Sequence, residues 1–247
     1  MVDQGKLLTG IHAVTQLLKR RPKDVERLWV LIRRDDRRIK AVQELAEQNG
    51  IVVELLDKNQ LAEIFPQVHQ GVVAQIRDGN HGLTEKDLLA LLESLDHPPL
   101  LLVLDGITDP HNLGACLRTA DAAGVDAVVV PKDKSASMNA TVRQVASGAA
   151  ETVSLVTVTN LARCLKSLQE RNIWLVGTDD SAKVDIYAQD LRGPIALVMG
   201  SEGQGLRRLT AEHCDFLVSI PMSGEMSSLN VSVATGVALF EAVRQRR

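Results

Sequence analysis

Apolar and polar positions follow two rhythms along this chain, and the first eighty residues show both. Residues 7–20 carry apolar side chains at helical spacing, whereas 27–32 (Arg-Leu-Trp-Val-Leu-Ile) is a short apolar run of the kind that forms a buried strand. Helical spacing returns over 36–49 and stops at Gly50. Residues 51–56 predict a second strand, 59–64 a short helix and 71–76 a third strand. This alternation predicts a small α/β unit over 1–77.

A polar, glycine-bearing break at 78–82 leads into an amphipathic helix over 84–95, where Glu85 is expected to complete the cap, and His97-Pro98-Pro99 closes the segment. The linker is therefore placed at 78–98. Leu100 to Leu104 is continuously apolar, as a strand buried on both faces of a parallel sheet requires. Strands predicted at 125–130, 153–158, 173–178, 195–199 and 216–220 then alternate with helices at 139–147, 160–169 and 207–213. A last helix carries Val231, Ala234, Val237, Ala238 and Phe240 along its apolar face. Residues 99–247 thus read as an α/β domain with a mainly parallel sheet.

A hydrophobic content of 45% supplies a core, but aromatics make up only 2%, so nucleic-acid contact would lean on phosphates and shape more than on stacking. The net charge of −3 conceals an asymmetry, with residues 1–77 at +3 and the remainder at −6. A basic front suits an anionic polymer. The run Arg33, Arg34, Arg37, Arg38 and Lys40 around Asp35 and Asp36 fits either an RNA contact or a self-paired solvated face. Cys116, Cys164 and Cys214 are too scattered for a disulfide framework or a zinc site and read as small buried hydrophobes. The N-terminus lacks a signal-type apolar segment and no stretch approaches a membrane span, so a cytoplasmic protein without membrane contact is expected.

Three stretches carry candidate chemistry. In the first, the apolar strand ending at Asp105 runs through Gly106-Ile107-Thr108-Asp109-Pro110 into a helix that begins near Asn112, at a strand end where ligands sit in open α/β sheets. Arg118 follows among Cys116, Leu117 and Ala120, a position expected to be half-buried and therefore to need an anionic partner. His111 has no Ser or Cys nucleophile beside it and reads as a turn residue. In the second, Gly200-Ser201-Glu202-Gly203-Gln204-Gly205-Leu206 permits close backbone approach to a ligand, yet it is neither a dinucleotide fingerprint nor a P-loop. Glu202 is open to three readings: general base, partner of Arg118, or helix cap. In the third, an apolar strand ends at Ile220-Pro221-Met222, and Ser228-Leu229-Asn230 opens the last helix with free backbone N–H groups.

Together, Asn112-x-Gly114-x-x-x-Arg118, Gly200-Ser201-Glu202-Gly203-x-Gly205-Leu206 and Ile220-Pro221-Met222 with Ser228-Leu229-Asn230-Val231-Ser232-x-Ala234 resemble motifs 1, 2 and 3 of the SpoU/TrmH group of SPOUT methyltransferases. Order and spacing agree over 100–247. The front unit resembles the ribosomal-protein-like RNA-binding domain that precedes this module in many members. Through Gly10-Ile11-His12-Ala13-Val14 and Asp109-Pro110-His111-Asn112-Leu113-Gly114-Ala115-Cys116, the whole chain resembles those members that methylate a guanosine 2′-oxygen in the peptidyl-transferase region of 23S rRNA.

The resemblance implies a deep trefoil knot, a homodimer packed around the terminal helix, and 23S rRNA or a large-subunit precursor as partner. It implies S-adenosylmethionine as methyl donor, without a metal, cradled by Val198, Met199, Gly200, Gly203, Ile220, Met222, Ser228, Leu229 and Asn230. It implies an active-site set of Asn112, Arg118, Glu202, Ser228 and Asn230. Arg118 has been assigned the base in relatives, but a guanidinium keeps its proton below about pH 12, so Glu202 and an RNA phosphate stay open as acceptors. Lys132, Lys134, Arg143, Arg207 and Arg208 border the strand ends as phosphate contacts or as surface charges. Arg244, Arg246 and Arg247 are expected to complement the helix dipole and keep the end soluble. Two alternatives stand: a tRNA 2′-O-methyltransferase of the same group, and a non-catalytic RNA-binding assembly factor.

Overall fold

The computed structural model describes residues 7–32, 36–65, 70–76 and 83–247, apart from the side chain of Arg20. Arg33, Arg34 and Asp35 of the basic run, and the break at 78–82, lie outside the described residues. The chain divides into two units: Met1–Asn80 with Met138–Thr152, and His81–Ser137 with Val153–Arg247. The stretch expected as one domain over 99–247 is therefore interrupted, since Met138–Thr152 packs in the first unit.

In the first unit the apolar run that opens at Leu7 is not one helix. Gly10, at φ 97°, takes a backbone that other residues rarely adopt, and it separates a strand, β1 (Leu7–Thr9), from helix α1 (Ile11–Arg20). β2 (Val25–Leu31), α2 (Arg37–Gln48), β3 (Val53–Leu56), α3 (Lys58–Ile64) and β4 (Val72–Ile76) follow. The sheet order is β1-β4-β2-β3, antiparallel except for the parallel β2–β3 pair. One face buries Val14, Leu17 and Leu18 of α1 and Ile39 and Val42 of α2. The other buries Trp29, Leu61, Phe65 and Val73.

In the second unit α4 (Glu85–Ser94) is capped by Thr84, and Asp87 rather than Glu85 closes the capping box. Position 87 is the third helical residue, where a carboxylate reaches back to the Thr84 N–H, at 2.8 Å. β5 (Leu100–Asp105), α5 (Pro110–Ala123) and β6 (Ala127–Pro131) come next, and α6 (Ala140–Ala146) and α7 (Ala149–Thr152) belong to the inserted segment. The chain continues through β7 (Leu155–Val158), α8 (Leu161–Gln169), β8 (Trp174–Thr178), β9 (Val184–Asp185) and β10 (Ile195–Gly200). It ends with α9 (Arg208–His213), β11 (Phe216–Ser219) and α10 (Val231–Gln245). The seven strands lie in the order β7-β6-β5-β10-β8-β11-β9, every neighbouring pair parallel. Leu88 of α4 joins Leu161, Cys164, Leu165 and Leu168 of α8 against Leu101, Val103, Ala196 and Val198 of the sheet. α10 packs on α5 and β10.

Candidate active site

β5 and β10 are hydrogen-bonded neighbours with Gly200 opposite Asp105, so both strands deliver their carboxyl ends to one edge of the sheet. Past β5, the Asp109 side chain accepts the His111 N–H at 3.0 Å and Pro110 opens α5, which fixes Asn112 in the first turn. Past β10, the chain doubles back through reciprocal Ser201–Gly205 backbone bonds of 3.0 and 2.9 Å. The turn is so tight that a side chain at Gly200 would place its Cβ 2.1 Å from the Gly205 carbonyl carbon. The loop is anchored at its far end by Asp105, a fully buried carboxylate. Asp105 Oδ2 accepts the Arg207 backbone N–H at 3.1 Å, and the Arg207 guanidinium lies 3.3 Å from Oδ1. At the third stretch, Asn230 caps α10 by accepting from the Ser232 N–H at 2.9 Å and from its hydroxyl at 2.6 Å.

These three loops meet in one network. Asn112 Nδ2 donates to Glu202 Oε2 at 3.2 Å, and Asn230 Nδ2 donates to Asn112 Oδ1 at 3.0 Å and to Glu202 Oε2 at 3.4 Å. Glu202 is therefore neither a helix cap nor a partner of Arg118. Beside the network opens a cleft of about 610 Å³, lined by Met199, Gly200, Gly203, Ile220, Met222, Ser228 and Leu229 among others. Val198 does not line it, being buried within the sheet, and Asn230 borders it through Glu202. Sequence reasoning missed the wall formed by Thr178, Asp179, Asp180 and Ser181. This wall follows β8, which pairs with β10, and that adjacency is visible once strand order is known.

Arg118 differs from expectation. It is exposed, does not line the cleft, and makes no ion pair among the described residues. The buried positions of α5 are Leu113, Gly114, Cys116, Leu117 and Ala120, which leaves residue 118 on the outer face. Arg143, expected at the strand ends, instead pairs with the buried Glu151 in the first unit. Arg208 pairs with Glu212 at 2.7 Å, and Lys132 and Lys134 are exposed. His111 is exposed in the first turn of α5. The cysteines are inert hydrophobes: burial pushes the Cys116 thiol up to about 11 and those of Cys164 and Cys214 to about 12.

Residues 99–240 match the SpoU rRNA Methylase family. The chain belongs to that family. Residues 7–81 match the RNA 2′-O ribose methyltransferase substrate-binding family. The chain is 57% identical over 245 residues to the 23S rRNA (guanosine-2′-O-)-methyltransferase RlmB of Pseudomonas aeruginosa, covering 99% of this chain and 98% of that one. Among solved structures, the SpoU methyltransferase AviRb from Streptomyces viridochromogenes in complex with AdoMet aligns with a TM-score of 0.80 and 27% identity, over 97% of this chain and 90% of that one. The A. aeolicus TrmH/SpoU tRNA modifying enzyme aligns with a TM-score of 0.56 and 35% identity, over 66% of this chain and 83% of that one. Within the SpoU family, then, this chain shares its full length with an rRNA enzyme and two thirds of it with a tRNA enzyme. Among the described residues no helix is long and apolar enough to cross a membrane, and no His/Cys/Asp/Glu group is arranged to hold a metal.

Proposed function

We propose that this chain transfers a methyl group from S-adenosylmethionine to the 2′-oxygen of a guanosine in 23S rRNA, acting in the cytoplasm on the RNA or on a large-subunit precursor. The observation that carries the reading is the Asn112–Glu202–Asn230 network at the mouth of the cleft, which joins three loops distant in sequence. The full-length match to RlmB supports the substrate. The cleft fits the cofactor, because Gly200, Gly203, Gly205, Ser201, Ser227 and Ser228 in its lining leave the backbone open to close approach, and the turn at Gly200 packs too tightly against Gly205 and Leu206 to admit a side chain. Met199, Gly200, Ile220, Met222, Ser228 and Leu229 would hold the cofactor, which supplies an electrophilic methyl on a sulfonium. The trefoil knot expected of the C-terminal segment belongs to the same reading, as does recognition of the RNA by the front unit.

A ribose hydroxyl is a poor nucleophile until it is positioned and its proton accepted. In this reading, Asn112 and Asn230 donate to Glu202 Oε2 and so orient the carboxylate, whose Oε1 takes the hydroxyl proton. Ser228 lines the cleft beside them and orients the ribose. Arg118, exposed and outside its own cleft, binds target phosphate in a homodimer, where it serves the partner's cleft. The exposed Val233 and Phe240 of α10 supply apolar surface for that assembly.

The test is incubation with labelled S-adenosylmethionine and unmodified 23S rRNA or tRNA, wild type beside Glu202→Gln, with the modified nucleotide mapped by resistance to alkaline cleavage. A single mark on a 23S rRNA guanosine, reduced at least about 100-fold in the variant, is expected. A mark on tRNA would move the substrate and keep the chemistry. Cofactor binding without transfer to either RNA would point to an assembly intermediate as the substrate, and no cofactor binding at all would favour a non-catalytic assembly factor.

A further inference from the structure

The cleft carries charge of one sign. Asp179, Asp180 and Glu202 line it, and among the described lining residues there is no Lys, Arg or His. Two of the three carboxylates are fixed. Asp179 Oδ1 accepts from the Ser181 N–H at 2.8 Å and from its hydroxyl at 2.6 Å, and Glu202 Oε2 accepts from the two asparagine amides. Asp180 is exposed at the rim and makes no hydrogen bond or ion pair among the described residues. The acids come from two loops, one after β8 and one after β10, and these strands are parallel neighbours. They therefore reach the same cavity from two adjacent strand ends. A cleft lined by one sign of charge concentrates its field and selects the opposite charge.

Methyl transfer changes the charge of whatever the cleft holds. The methyl–sulfur bond breaks with its electron pair left on sulfur, the methyl–oxygen bond forms, and the hydroxyl proton passes to an acceptor. A sulfonium cation becomes a neutral thioether of nearly the same shape. Resting on the methyltransferase reading above, we infer that the carboxylates of this cleft select donor over product by charge, with Asp179 and Asp180 as specificity-determining residues. Contacts with the adenosyl and amino-acid parts are common to both ligands and cannot separate them. The fixed charge on sulfur can, because its interaction with the three carboxylates disappears at the moment of transfer. The product is thereby released from the cleft in favour of the next donor, which limits product inhibition in a site whose turnover depends on exchange.

The test uses the full-length protein and two ligands, S-adenosylmethionine and S-adenosylhomocysteine, with affinities measured by calorimetry at low and high salt. At low salt the wild type is expected to bind the sulfonium on the order of tenfold more tightly, and salt is expected to narrow that ratio. Asp180→Asn should narrow it by roughly threefold, and Asp179→Asn with Asp180→Asn further, since asparagine preserves the turn acceptor that Ser181 uses. Asp190→Asn removes an exposed carboxylate that pairs with Arg192 outside the cleft, and should leave the ratio unchanged. Equal affinity for the two ligands in the wild type would overturn the inference and leave the methyltransferase reading standing. A ratio unmoved in the double variant would do the same. Binding of neither ligand would overturn both.

Discussion

Gly200 is where a single carbon does the most damage. An added Cβ would lie 2.1 to 2.3 Å from backbone atoms of Gly205 and Leu206, which have no side-chain freedom with which to yield. Gly200→Ala is expected to open the loop, to cost about 3 kcal/mol of stability and to weaken S-adenosylmethionine binding at least tenfold. Thermal unfolding and calorimetry would show both, and unchanged values would mean that the turn is far more pliant than its geometry indicates. Asp105 belongs to the same construction. Its buried carboxylate holds the Arg207 N–H, which ends the loop carrying Glu202. The sequence exposed the glycines of this loop and the three asparagine and glutamate positions that meet there. It did not expose Asp105, whose importance comes from a partner 102 residues away.

Individual elements are held in place by side chains at their ends. Arg246 was expected to be a solubilising charge at the end of α10. Instead its guanidinium donates to the carbonyls of Leu191, Pro98, Pro99 and Gly193, at 2.5 to 3.1 Å. Arg246→Ala leaves these carbonyls without that donor and should destabilise the protein by about 2 kcal/mol, read as a lower urea midpoint at unchanged slope. His97 does comparable work ahead of β5, where its ring nitrogens lie 2.9 Å from Asp126 and 3.2 Å from Asp96. The hydrogen bond to Asp126, followed by that to Asp96, raises the imidazole pKa above its ordinary 6.5. A raised pKa stabilises the fold below the unfolded value and loses that contribution as pH climbs through the folded one. The melting temperature of wild type should therefore exceed that of His97→Gln below about pH 6.5, and the two should converge in mildly alkaline solution. The difference will be small, because the half-exposed pair is screened. A gap that persists or grows with pH would exclude the ion pair as its cause.

The whole molecule is less simply divided than its composition. The segment Met138–Thr152 lies within the span matched by the methylase family, yet it packs in the first unit, where Glu151 is buried between Arg21 and Arg143. A fragment starting at residue 99 would keep Arg143 and Glu151 but lose Arg21, so deletion is a poor test of what the front unit does. At this scale the prediction concerns assembly. If Arg118 serves the partner's cleft, Arg118→Ala and Glu202→Gln should each be inactive alone. Mixed and allowed to exchange subunits, they should recover roughly a quarter of the wild-type rate, since half the dimers are then mixed and each has one intact site. No recovery in a mixture shown to exchange would place both residues in the service of one chain.

The sequence by itself determined the elements, and with few errors. Local patterns act within a few residues, so the apolar runs at 100–104 and 195–199, the helix opening at Asn230 and the glycine loop could all be read along the chain, whereas the cap at Asp109, which starts α5 at Pro110 and not near Asn112, was not. Motif order was equally legible, because a match to a family needs no geometry. The miss at Leu7–Thr9 has a local cause: Gly10 ends the strand, and the apolar spacing runs through it unbroken. Tertiary structure decided everything that depends on who meets whom. It chose β8 as the neighbour of β10, which put Asp179 and Asp180 into the cleft, and it turned Arg118 outward. It also made Arg246 an internal clasp and carried Arg143 away to Glu151. A side chain's burial and its partners depend on strand order and helix facing, and these are settled only when segments a hundred residues apart compete for the same core.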